Sequence, residues 1–241
     1  MTKSKHHWIL LISIFIGLLL ISYGTFIDFT NFNNPSSKDL LGLVLSFISS
    51  IMGMIFIVLE VEEKKSMFII GIIGSLSSVL YLYFWSPLLW DMSIAIVYII
   101  LNIYGIYYWT HPKKHRKKMN NILNTKTLTL TEWYKYLILC IIGIIILYYL
   151  GVSLGKYSSN LQAATDATTT VLAILAQWFV SKKYLEMWYI WILVNIISIP
   201  LYISIHSYIY MMVYIYYLVM SFYGLYIWKQ KISIIKNKVS Y

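Results

Sequence analysis

Charge is scarce in this chain and unevenly signed. Only 12% of its 241 residues are charged, with 9 Asp and Glu against 19 Lys and Arg, while 60% are hydrophobic. A soluble domain of this size cannot cover so much apolar side chain with polar surface, so the excess must face lipid. Cysteine is nearly absent. Cys140 stands alone inside an apolar run, which excludes an internal disulfide or a Cys/His metal spacing and leaves an inert buried thiol. There is no glycine-rich phosphate loop, hence no ATP site and no cofactor to expect. No series of acids and histidines crosses the apolar segments, which argues against a proton pump. No nucleophile–base–orienter set is present either, and the chain is not read as an enzyme. The net charge of +10 would suit nucleic acid, but the basic residues cluster in the breaks between apolar runs.

Those runs come next. Eight segments approach or reach the roughly 20 helical residues needed to span a bilayer. They lie near 8–27, 40–59, 67–86, 89–109, 133–151, 162–180, 187–205 and 208–228. The first has a basic start but is long and has no small-residue cleavage site before Asp28, so it is expected to be a retained helix. With the N-terminus in the cytoplasm, the inside breaks and the inner edge of the fifth segment hold 17 of the Lys and Arg residues, and the outside breaks hold only Lys38 and Lys156. That bias follows the positive-inside rule and puts both termini in the cytoplasm. The run His111–Lys118 is read as a topology anchor, with anionic lipid as a second possibility.

A motif repeats across these segments. Tyr104-Gly105-Ile106-Tyr107-Tyr108-Trp109 returns 119 residues later as Tyr223-Gly224-Leu225-Tyr226-Ile227-Trp228. At the same offset Leu82-Tyr83 falls on Leu201-Tyr202 and Lys64 on Lys183. Segments two to four and six to eight would then be two three-helix units of like orientation, related by an axis along the membrane normal, with the fifth segment connecting them. The expected fold is an all-α integral membrane protein of eight transmembrane helices: an N-terminal extra helix plus a 3+1+3 parallel repeat. Its expected divisions are 1–39, 40–109, 110–161, 162–228 and a basic tail at 229–241.

This arrangement resembles the SWEET-like architecture, and three motifs sharpen the resemblance. Trp188–Asn195 reads W-x-x-W-x-x-x-N. Asn102–Trp109 reads N-x-Y-G-x-Y-x-W. Gln177-Trp178 is followed by Lys182-Lys183 and Glu186-Met187-Trp188. Together they resemble the Pnu-type bacterial vitamin transporters, whose founding member imports nicotinamide riboside. The resemblance covers about residues 40 to 228. It implies facilitated diffusion of a vitamin precursor across the bacterial cell membrane, trapping by a cytoplasmic kinase, and a homotrimer. Thiamine and a deoxynucleoside are the alternative substrates, and a receptor that binds without transporting is the alternative class.

The residues suggest where a ligand would bind. On the seventh segment Trp188, Trp191 and Asn195 fall on one face at 100° per residue, continued by Tyr202 and His206. Asn195 can bond ribose hydroxyls or a carboxamide, and the two tryptophans can hold a flat cationic ring. Trp188 is also close enough to Lys183 to be an interfacial belt residue, the reading preferred for most of Trp85, Trp90, Trp109, Trp133, Trp178 and Trp228. On the fourth segment Asp91, Tyr98, Asn102 and Trp109 share a side, with Asn102 the next choice for a contact. On the sixth, Asp166, Thr169, Thr170, Ala173 and Gln177 do so. Asp166 reads as the one acid clearly inside a span, where it would attract a cation or sit at the outer mouth. The candidate substrate-binding set is therefore Trp188, Trp191, Asn195, Asn102, Tyr98, Thr169, Asp166, Gln177 and Tyr202, with no metal site. Pro200 should kink the seventh helix, and Pro87 lies beside the third segment.

Overall fold

The computed structural model describes residues 3–31, 36–85, 90–111, 125–155, 157 and 159–239. Pro87, Lys156 and the basic residues at 112–118 lie outside them, as do the side chains of Trp85 and Asp91.

Eight helices account for the described chain: α1 (Lys3–Thr30), α2 (Ser37–Val61), α3 (Met67–Trp85), α4 (Asp91–Thr110), α5 (Leu130–Ser153), α6 (Asn160–Lys182), α7 (Met187–Ser204) and α8 (Tyr208–Val239). Each coincides with one expected segment. Seven are long and apolar enough to cross a membrane; in α3 the shorter stretch Met67–Tyr81 is the apolar part. α8 runs eleven residues past the expected end, because Lys, Gln and Ile continue a helix readily once it has left hydrocarbon. Pro200 lies inside α7.

Local chemistry sets the helix ends. Ser36 and Asp39 form a reciprocal capping box on α2, and Thr129 and Glu132 form one on α5. Ser159 caps α6 by accepting from the Gln162 N–H. The turn after α2 places Glu63 in the left-handed region at φ 59°, and the turn after α6 does the same with Lys183 at φ 61°. In both, the next N–H reaches back to a carbonyl five residues earlier, Lys64 to Leu59 and Tyr184 to Phe179. The geometric partner of Lys183 is thus Glu63, one residue before the Lys64 expected from a constant offset of 119.

Helix packing forms a closed ring in the order α2, α3, α4, α6, α7, α8 and back to α2. α1 lies outside against α2 and α8, and α5 lies outside against α6. Both outer helices turn large apolar side chains outward, among them Trp8, Phe15 and Phe26 on α1 and Leu137, Ile141 and Ile145 on α5. This is the apolar excess that the composition assigns to lipid.

The repeated Tyr-Gly-x-Tyr-x-Trp motif is a packing device in both places. Gly105 lets the Phe68 ring lie on α4, and Gly224 lets the Trp188 ring lie on α8; a Cβ at either glycine would fall inside that ring. One turn on, Trp109 meets Phe68 edge to face (5.3 Å, 84°) and Trp228 meets Trp188 in the same way (5.7 Å, 84°). Trp109 and Trp228 are therefore buried, not interfacial belt residues as expected.

α1 is fastened to α8 at both ends. His6 Nδ1 lies 2.6 Å from the Tyr223 hydroxyl, and the Asp28 carboxylate accepts from the Tyr208 and Ile209 N–H groups at 2.9 and 3.0 Å. Asp28 thus caps a helix to which it does not belong. Removing a cap of this kind costs about 1 kcal/mol, so Asp28→Ala should lower the melting temperature of the purified protein. An unchanged melting temperature would show that the contact contributes nothing.

Candidate functional site

The ring encloses a cavity of about 180 Å³, walled by all six of its helices. α2 supplies Ser49, Ser50, Gly53 and Glu60, α3 supplies Gly71, Gly74 and Ser75, and α4 supplies Tyr98 and Asn102. Gln177 of α6, Trp191 and Asn195 of α7, and Tyr214, Tyr217 and Ser221 of α8 complete the wall. Small residues dominate the α2 and α3 side and aromatics the α8 side. Gly53 is required for this shape, since a Cβ there would collide with the Tyr217 hydroxyl.

The polar groups converge from opposite sides of the ring. Gln177 Nε2 donates to Asn102 Oδ1 at 2.9 Å, and Asn195 Nδ2 donates to Ser221 Oγ at 3.2 Å. Asn102 and Ser221 stand 119 residues apart in the sequence; Asn102 of α4 anchors an amide on α6, and Ser221 of α8 anchors one on its neighbour α7. Trp191 packs edge to face on Tyr98 (6.4 Å, 79°). Among the lining residues, Trp191 Nε1, Asn195 Oδ1 and Glu60 Oε1 are buried polar atoms with no protein hydrogen-bond partner. A polar ligand in this cavity could pair with these atoms, which makes it the candidate site.

A second cavity of about 110 Å³ continues toward the end away from the termini. It shares Ser75, Ser78, Tyr98, Tyr210 and Tyr214 with the first and adds Thr169, Ser198 and Tyr202. Tyr202 stacks on both Tyr210 (5.3 Å) and Tyr214 (5.1 Å), which builds an aromatic layer beside the boundary. At the termini end, the buried Lys183 ammonium pairs with Glu63 at 2.7 Å and lies 4.8 Å from the centre of the Trp109 ring. Lys231 of α8 adds a second contact to Glu63 at 3.1 Å. Burial alone would push the Glu63 carboxyl up; Lys183 and Lys231, by charge and hydrogen bonds, outweigh it and hold the group below its ordinary value of 4.5.

The structure brings Tyr98, Asn102, Gln177, Trp191 and Asn195 to the central cavity, and Thr169 and Tyr202 to the adjoining one. Trp188 and Asp166 line neither. Trp188 points back onto Gly224 and Trp228 because Gly224 opens space for its ring on that side. Asp166 is buried beside the break before α6, where Oδ2 accepts from the Tyr157 hydroxyl at 2.5 Å. His206 leaves the stripe altogether: it is exposed in the turn after α7, at φ 54°. Glu60 corrects the reading of Asp166 as the single acid inside a span. In sequence it looks like the start of the charged cluster Glu60–Lys65, and only the length of α2 places it inside the ring.

A family model, nicotinamide mononucleotide transporter, matches residues 43–230. The chain belongs to this transporter family. Relatives include the nicotinamide riboside transporter PnuC of Haemophilus influenzae, 28% identical over 78% of this chain and 80% of its own length. Another is the PnuC of Escherichia coli K12, 23% identical over 64% of this chain and 72% of its own. The fold matches a crystal structure of the vitamin B3 transporter PnuC with a TM-score of 0.68 and 22% identity, over 95% of this chain and 92% of that one. As a member of this family with membrane-crossing helices, the chain is a multi-pass bacterial membrane transporter and not an enzyme.

Proposed function

We propose that the chain carries nicotinamide riboside into the cell by facilitated diffusion, and that the ligand sits in the central cavity. The observation that carries this reading is the set of unpartnered polar atoms on Trp191, Asn195 and Glu60 inside a closed ring of helices. Amides suit the ribose hydroxyls and carboxamide, and Trp191 and Tyr98 suit the ring. Relatives named as nicotinamide riboside transporters support the same substrate. Thiamine keeps second place because its ring is also cationic.

The two units, α2–α4 and α6–α8, act as a parallel 3+1+3 repeat with α1 as the extra helix and α5 as the connection. The order of the ring supports this, because every contact in it has a counterpart one unit on. So do the paired Gly–Trp arrangements and the paired left-handed turns. Positive-inside charge puts both termini in the cytoplasm. Transport then consists of rocking the units about the ligand. The tyrosine layer closes the outer side, the Glu63–Lys183 pair closes the inner side, and one must part for each opening. Trimer formation and trapping by a cytoplasmic kinase complete the reading, on family resemblance.

Sealed vesicles containing the purified protein should equilibrate nicotinamide riboside without ATP or an ion gradient. Binding without uptake would mean a receptor, and preferential uptake of thiamine or a deoxynucleoside would replace the substrate. Loosening the inner closure with Lys183→Ala should speed labelling of a cysteine placed at Ser75, in a Cys140→Ser background, by an impermeant thiol reagent added from the cytoplasmic side. The same gain should follow acidification. The ion pair stabilises the closed form above the ordinary glutamate value of 4.5 and is lost as pH falls through the lower value of Glu63. Unchanged labelling in both conditions would remove the pair as a closure.

A further inference from the structure

Resting on the reading of this cavity as the substrate site, we propose that Glu60 determines its specificity: it selects ligands with a cationic ring and rejects phosphorylated ones. Glu60 is 1% exposed and lines the cavity from the last turn of α2. Its Oε1 has no hydrogen-bond partner. Among the described lining residues of both cavities it is the one acid, and there is no Lys, Arg or His. Lys183, in the equivalent turn across the bundle, is already paired with Glu63.

The physics follows from that inventory. A buried carboxyl with no cation beside it is costly to ionise, and a cation entering the cavity offsets that cost. Trp191, Tyr98 and Tyr217 line the same space, and a ring face turned to the cation adds cation–π attraction. A pyridinium or thiazolium ring meets both. A phosphate group meets neither, because the lining holds no basic side chain and a second negative charge opposes the ionisation of Glu60 further. The nucleoside is therefore favoured over its mononucleotide, although the family model bears the mononucleotide's name.

The test is equilibrium binding to the purified full chain, with two pairs of probes that differ in ring charge. Nicotinamide riboside is compared with its reduced, uncharged dihydro form, and thiamine with the uncharged thiochrome. The wild type should prefer a cationic member by about tenfold or more, the scale of one charge-assisted contact. Glu60→Gln should bring that ratio near one, and Glu60→Asp should keep most of it. Nicotinamide mononucleotide should bind at least as weakly as the uncharged probes in the wild type. A ratio unchanged in Glu60→Gln, or no preference in the wild type for either pair, overturns the assignment. A Glu60-dependent preference seen with the thiamine pair alone would sink the riboside reading and support Glu60. Riboside bound tightly, with no preference for the cationic member in either pair, would do the reverse.

Discussion

Trp191→Ala should weaken binding of nicotinamide riboside by about tenfold to a hundredfold, the loss expected for one aromatic stacking partner, while leaving the melting temperature within a few degrees of wild type. Trp191 is only partly buried, so its removal enlarges an existing cavity instead of opening one in a packed core. Asn195→Ala should act in the same direction. It removes the unpartnered Oδ1 from the site but also releases an acceptor position on Ser221 Oγ, whose hydroxyl still donates to the Tyr217 carbonyl, and a ligand donor can use it to recover part of the loss. Calorimetric titration of both variants decides the matter. Wild-type affinity in Trp191→Ala would place the ligand elsewhere, whatever the transport data show.

The neighbouring tryptophan should behave in the opposite way. Trp188→Ala removes a fully buried ring from between Gly224 and Trp228, and large-to-small changes of this kind cost about 3–5 kcal/mol. Gly224→Ala forces the same ring aside from the other partner, and two residues that share one close approach should not add when combined. Both single variants should unfold at markedly lower temperature in detergent. Whatever folded protein remains should bind ligand with nearly native affinity. Lost binding at native stability in Trp188→Ala would restore Trp188 to the site and overturn this division of roles.

The contrast between these two residues shows what was legible in the sequence. Apolar length and charge placement located all eight helices, because a bilayer leaves few other ways to satisfy a backbone. Periodicity put Trp188, Trp191 and Asn195 on one face, yet one helix face 100° wide meets two neighbours. Which of them a side chain meets depends on where those neighbours carry glycine. Gly224 takes Trp188, and nothing in α7 itself announces it. Asn102 and Gln177 were each singled out on their own helices, but their bond joins two units and has no local signature. Glu60 was hidden by its companions, since an acid next to Glu62, Glu63 and Lys64 looks like surface until the helix end is fixed. The repeat was visible at constant offset, but its drift from 119 at Gly105 to 120 at Glu63 needs the turn geometry.

That drift brings Glu63 and Lys183 to matching turns, and the two are bonded to each other. Two copies of a single half, assembled side by side, would set glutamate against glutamate or lysine against lysine at this point. On the proposed repeat, opposite charges at these two positions are available only to halves that have diverged. If the halves were produced as separate chains, first would recombine with second, and neither would close correctly on itself. Swapping Glu63 and Lys183 should therefore preserve the contact, whereas making the two positions alike should not.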